Sequence, residues 1–118
     1  MKESNAKDFV IGVDTDQFDD GANGDENIVL TSAVKRMGMN DKRVLETIAD
    51  GSFKGGNNLL GADSDSVGYI SEEGRCQLDA ETIEKIDKAY QLVKDGTIVP
   101  AANFNDQKPD NFTGLDAE

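Results

Sequence analysis

The sequence predicts an α/β fold built on a mainly parallel sheet. Three observations carry that expectation. A continuous apolar run, Phe9 to Val13, breaks off at an acid; extended and helical patterns alternate along the chain; and a fully punctuated amphipathic helix lies near residues 79–95. A strand that is apolar without alternation is buried on both faces, which is the habit of parallel sheets.

Residues 1–8 form a polar lead. The run Phe9-Val10-Ile11-Gly12-Val13 then predicts a buried parallel strand ending at Asp14. Asp14 to Asn27 is rich in aspartate, asparagine and glycine and predicts a loop. Ile28 to Val34 is a second extended segment, with a helix start near Ser32 as its alternative. Asp41 to Asp50 predicts a short helix: Asn40 or Asp41 can cap it, Val44, Leu45 and Ile48 make one apolar stripe, and Gly51 can stop it.

Gly55-Gly56 marks a turn, and Val67 to Ile70 reads as a strand. The strongest helix runs from about Asp79 to Asp95. Asp79 is a good N-cap, and Leu78 with Ile83 has the spacing of a hydrophobic staple. Ile83, Ile86, Tyr90 and Val93 make its inner face, and Glu81–Lys85 and Glu84–Lys88 pair four apart in the favourable order. Gly96 ends it, Thr97 to Pro100 is extended, and Ala101 to Glu118 is a polar tail. About three strands and two helices are fewer than a self-standing doubly wound domain uses.

Composition bounds the function. The 118 residues suffice for one small domain, and 24 acidic against 12 basic side chains give a net charge of −12. Such a chain repels phosphate backbones and anionic lipid heads, so no nucleic-acid partner is expected. A hydrophobic fraction of 36% leaves a thin core that calls for a partner surface. The absence of histidine removes the commonest general base and metal ligand, and the single cysteine, Cys76, leaves no internal disulfide. No catalytic constellation stands out, and neither an enzyme nor a cofactor is expected. The start MKESNAKDF has no apolar signal core, which by itself points to the cytoplasm.

The chemistry worth weighing sits at the strand ends. An aspartate just past a parallel strand, Asp14 or Asp16, offers two acceptor oxygens at the spacing of adjacent sugar hydroxyls. The plainer alternative is that either acid caps a turn, and Gln17 is equally open. Lys35 can reach the same crevice and donate to a hydroxyl, or it is an ordinary solvated lysine. A calcium loop fails on count: from Asp14 the sixth place is Asp19 where glycine belongs, and the twelfth is Asp25 where glutamate belongs. Phe18 and Phe53 can stack on a base, though core packing is the ordinary role. Asn111-Phe-Thr113 fits a glycosylation acceptor.

Taken in order, two of these segments form a pattern. Phe9 to Gln17, FVIGVDTDQ, followed by Ile28 to Arg36, IVLTSAVKR, resembles the basic membrane protein family. Similarity continues through Gly51 to Gly56, Asp65 to Tyr69 and Gly96 to Pro100. These are lipoproteins that serve as substrate-binding components of ABC transporters, many taking purine nucleosides. The resemblance implies that residues 9–100 are part of the C-terminal lobe of a type I periplasmic-binding-protein fold, in which a nucleoside is clamped between two lobes. By position, Asp14 matches the family's ribose-binding aspartate and Lys35 its ribose-contacting lysine. Gly12 and Asp16 belong to the same motif, Gly12 allowing close backbone approach. The resemblance further implies an N-terminal lobe beyond this chain, a transporter permease as partner, and a place in the cell envelope. The acidic stretch Asp19 to Glu26 departs from the family pattern. Apart from the resemblance, two other readings stay open: an acidic interaction module that completes its fold with a partner chain, and a calcium-binding module.

Overall fold

A computed structural model describes residues 8–100 of the chain. Strand β1 (Val10–Asp14) leads through a 3₁₀ turn, Phe18–Gly21, into a small antiparallel hairpin, β2 (Ala22–Asn23) and β3 (Glu26–Asn27). Strand β4 (Val29–Lys35) follows, then helix α1 (Met37–Ala49) and a second 3₁₀ turn, Ala62–Ser64. Strand β5 (Val67–Tyr69) and helix α2 (Ala80–Lys94) complete the order. The fold is α/β. Its main sheet has the order β1-β4-β5, with β1 parallel and β5 antiparallel to β4, so the sheet is mixed.

A parallel pair cannot be closed by a hairpin and needs a crossover, usually an α-helix. Here the acidic segment after Asp14 is that crossover, built from the 3₁₀ turn and the hairpin. Its 3₁₀ turn packs on β4, and Gln17 just before that turn lies against Gly12 of β1. Gly12 and Ser32 are register partners, and a Cβ on Gly12 would collide with Ser32 Oγ and sit 2.9 Å from Gln17 Oε1. Gly21 is placed likewise: its Cβ would meet Asn27 Oδ1 and lie 2.6 Å from Val29 Cγ2. Glycine at both places lets the connection run at backbone distance from the sheet.

The β1 side chains on the opposite face correct an expectation. Ile11 and Val13 are 61% and 62% exposed, so the strand is not buried on both faces. It lies at the sheet's edge, and no helix of the described residues covers that side. The α1 stripe behaves the same way, with Val44, Leu45 and Ile48 all exposed. The core is accordingly thin. Among the described residues, the buried apolar side chains are Val29, Ala62 and Ile98, and the buried polar ones are Thr31, Ser32 and Ser66.

Helix α1 also begins four residues before the expected Asp41. Its N-cap, Arg36, makes no side-chain cap bond; its backbone N–H donates instead to the Ser66 carbonyl at 2.8 Å. Asn40 is taken by a tertiary contact, accepting from Ser66 Oγ at 2.9 Å. A long-range bond has displaced the local cap. Helix α2 matches its sequence signals, with Asp79 accepting from the Thr82 N–H at 2.8 Å and Lys85 pairing with Glu81 at 2.9 Å. Its inner residues Ile83, Ile86, Tyr90 and Val93 are half-buried. The chain turns back after Gly96 through the Ile98 N–H to Leu92 carbonyl bond, 2.9 Å, and buries Ile98. The lead before Asp8, the tail 101–118 and the Asn111–Thr113 triplet lie outside the described residues.

Polar ties fasten α2 to the sheet where apolar burial is scarce. The Tyr69 hydroxyl donates to Asp87 Oδ1 at 2.7 Å; its pKa is pushed up to about 12, chiefly by burial and then by that bond. Lys94 Nζ grips both oxygens of Asp65 at 2.6 and 2.8 Å. Asp65 is held below the ordinary carboxylate range by its bond to Lys94, and Lys94 is raised by the same bond. A lowered carboxylate stabilises the fold above its unfolded pKa of about 4 and loses that effect as pH falls further. A raised lysine contributes below its unfolded value of about 10.4 and fades above it. Lys94→Ala should therefore lower the melting temperature at pH 7 and lose that deficit at pH 2–3. A deficit that persisted unchanged in acid would contradict the ion-pair account.

Candidate ligand-binding site

The candidate site forms where β1 and β4 end side by side. Asp14 pairs in register with Val34, which places its side chain beside Lys35 at the carboxyl end of both strands. Lys35 Nζ lies 2.7 Å from Asp14 Oδ1, with the two side chains 64% and 53% exposed. Ligands of parallel α/β units collect at such strand ends, where the connecting loops converge. An ion pair this exposed adds little to stability and is cheaply opened by a competing hydrogen-bonding group. Asp14 also has φ of 73°, the left-handed region that non-glycine residues seldom adopt. Such a conformation persists only when its surroundings fix it.

Those surroundings are the first turn of the crossover. Gln17 folds its side chain back over Gly12, so that Oε1 accepts from the Val13 N–H at 2.7 Å. Its own N–H donates to Ser32 Oγ at 3.0 Å. Gly12, Gln17 and Ser32 thus interlock at the strand end that carries Asp14, and Ser32 is fully buried. Asp16 has other partners: Oδ1 accepts from the Phe18 N–H at 3.0 Å, capping the 3₁₀ turn, and Oδ2 accepts from Arg75 Nε. Arg75, followed by the Phe18 N–H, holds the Asp16 carboxyl below its ordinary range. The structure thus brings Asp14 and Lys35 together, packs Gly12 against Gln17 and Ser32, and ties Asp16 into the turn that follows.

Arg75, Ser32 and the interlocking role of Gln17 were not singled out by their sequence context. Arg75 is 59 positions from Asp16 and sits in an unremarkable acidic turn, so only the fold reveals its partner. Phe18 carries the Arg75 guanidinium 5.6 Å from its ring centroid, and Phe53 is 52% exposed. No group of three or more potential metal-ligating side chains is clustered among the described residues. No described helix is long and apolar enough to cross a membrane.

Residues 1–103 match a family described as ABC transporter substrate-binding protein, PnrA-like, with the family name Bmp. The chain belongs to this family of substrate-binding proteins. It is similar to a CD4+ T-cell-stimulating antigen of Listeria monocytogenes serovar 1/2a, 34% identical over 96 residues that cover 76% of this chain and 26% of that protein. The protein of the same name from Listeria innocua serovar 6a matches with the same identity and coverage. The chain thus spans about a quarter of the length of the curated relatives it matches.

The interlock makes Gly12 the most sensitive small residue of the site. Gly12→Ala should destabilise the chain by about 1–3 kcal/mol, the range for an added methyl with nowhere to go. Urea unfolding checks this, and a midpoint equal to wild type would show that Gln17 and Ser32 can yield.

Proposed function

We propose that this chain supplies one wall of the ligand crevice in a substrate-binding component of an ABC importer, and that the ligand is a purine nucleoside. Asp14 accepts hydrogen bonds from two adjacent ribose hydroxyls through its carboxylate, and Lys35 donates to the ribose from the neighbouring strand. Gly12 and Asp16 build the wall below them, Gly12 by admitting Gln17 and Asp16 by capping the turn. In this reading the protein works outside the cytoplasmic membrane, in the cell envelope, and delivers its ligand to a permease. It carries out no chemical step. A second lobe closes on the nucleoside from the other side.

The observation that carries the reading is the exposed Asp14–Lys35 pair at adjoining strand ends, on a chain that belongs to a substrate-binding family. A carboxylate and an ammonium 2.7 Å apart present acceptor and donor together, which suits a vicinal diol and gives no preference to a bare purine. Calorimetric titration of the gene's full-length product with adenosine, guanosine and inosine tests it. Heat of binding is expected with at least one; none with all three would overturn the nucleoside assignment. Within that experiment, Asp14→Ala should weaken nucleoside binding about tenfold or more, since the bonds lost are charge-assisted. Binding of the free base should change little. Equal losses would remove the ribose role from Asp14.

A second reading, an acidic interaction module that completes its layers against another chain, is favoured by the exposed Ile11 and Val13 on an edge strand. Size-exclusion mass separates the two, because a cooperative monomer argues against it.

A further inference from the structure

We infer that Arg75 is a positioning residue for the ligand crevice: it latches the crossover after β1 from the far edge of the sheet, and so holds Asp14 in its binding geometry. The inference rests on the nucleoside reading for its ligand, and on geometry for the latch.

Arg75 belongs to the turn that follows β5, on the opposite side of β4 from β1. That turn is itself rooted on β4. The Ile70 N–H donates to the Ser32 carbonyl at 3.0 Å and the Gln77 N–H to the Leu30 carbonyl at 2.7 Å. Within the turn, the Arg75 N–H donates to the Glu72 carbonyl at 3.1 Å. The guanidinium therefore starts from a fixed base.

From there it engages three residues of the crossover at once. Nε donates to Asp16 Oδ2. Nη1 and Nη2 fork onto Asp19, at 3.3 Å to Oδ1 and 3.0 Å to Oδ2. The cation also lies 5.6 Å from the centre of the Phe18 ring between them. Only the planar five-donor guanidinium can make these contacts together; an ammonium on the same stem supplies a point charge. Asp19 is 82% exposed, whereas Asp16 is 24% exposed, so the Asp16 arm is the less screened and carries more of the hold. The same turn secures the crossover's other end, where Gln77 Nε2 donates to the Asn27 and Val29 carbonyls at 3.1 and 2.5 Å.

Asp16 is two residues beyond Asp14, and only Thr15 lies between the latch and the left-handed residue. A residue held at φ of 73° depends on fixed neighbours. Gln17 anchors the turn to the sheet beneath it. Arg75 anchors it sideways. Without the sideways anchor, the Asp14 carboxylate samples orientations that do not meet a diol, and affinity falls in proportion to the competent fraction.

The test uses the full-length gene product with Arg75→Ala and Arg75→Lys. Hydrogen exchange followed by mass spectrometry reads the latch without any ligand, on peptides spanning Val13 to Asn27. Calorimetry with inosine and with hypoxanthine reads the consequence. Arg75→Ala is expected to speed exchange of that segment and to weaken inosine about fivefold or more, with hypoxanthine changed less than twofold. Arg75→Lys, which keeps charge and stem, should fall between and serves where the alanine variant folds poorly. Unchanged exchange would overturn the latch. Faster exchange with unchanged inosine affinity would overturn the positioning role and leave the nucleoside reading standing. If the wild type binds no nucleoside, the nucleoside reading fails, and the exchange result alone upholds or overturns the latch.

Discussion

Two strands running the same way must be joined by a segment that travels the length of the sheet, and in this chain that segment is short and strongly acidic. The connection from Thr15 to Ile28 forms no α-helix; it crosses as a 3₁₀ turn pressed against β4, with Gln17 against Gly12 of β1, followed by a small hairpin. Everything else about the site follows from that pressing. Gly12 and Gly21 have no side chain because the crossover occupies the space. Ser32 is buried because Gln17 reaches down to it. Asp14 turns left-handed because the chain must leave the strand and immediately double back.

A thin apolar core shifts the work of assembly to polar contacts. Three apolar side chains are buried among the described residues, which is little for so many elements. In their place stand directional ties: Asp65 with Lys94 and Tyr90, Tyr69 with Asp87, Ser66 with Asn40, and Arg75 with Asp16 and Asp19. Directional ties specify which element sits where, and each contributes modestly once water competes. The uncovered faces of β1 and α1 are the complementary fact, since the apolar side chains the sequence does hold are spent on surfaces that the described residues leave open.

The fold class was legible because it depends on local patterns. The apolar run at Phe9, the turn-rich stretch after Asp14 and the capped helix at Asp79 each declare themselves within a dozen residues. Helix α2 kept its N-cap because both Asp79 oxygens are taken locally, by the Thr82 N–H and hydroxyl. Helix α1 did not, because Ser66 claims Asn40 and Arg36. The exposure of Ile11 and Val13 was illegible for a similar reason: an apolar run reports what a strand can bury, and not whether a covering layer is present. For the site, the residues alone left Asp14 and Lys35 open, and the family resemblance of the two motifs put them forward together; the structure shows them as an ion pair. Turn-capping by Asp16 was among the readings its loop left open, but its bond to Arg75 was not legible, since an aspartate in an acidic loop gives no sign of which distant arginine it meets. Asp16 proved to be a turn cap as well as a motif residue.

The crossover is not uniformly constrained along its length, and that has a bearing on how it can vary. Gly12, Gln17 and Ser32 share one small volume, so a change at one of them demands a compensating change at another, and the three positions should drift together or not at all. The hairpin tip is the opposite case. No neighbour lies within 4 Å of where a side chain on Gly24 would begin, so only its own φ of 64° holds that place for glycine, and Asn23 and Asp25 beside it are exposed. Lineages can lengthen, shorten or recharge this tip without disturbing the strand ends, and it is there that length polymorphism between homologous proteins should accumulate.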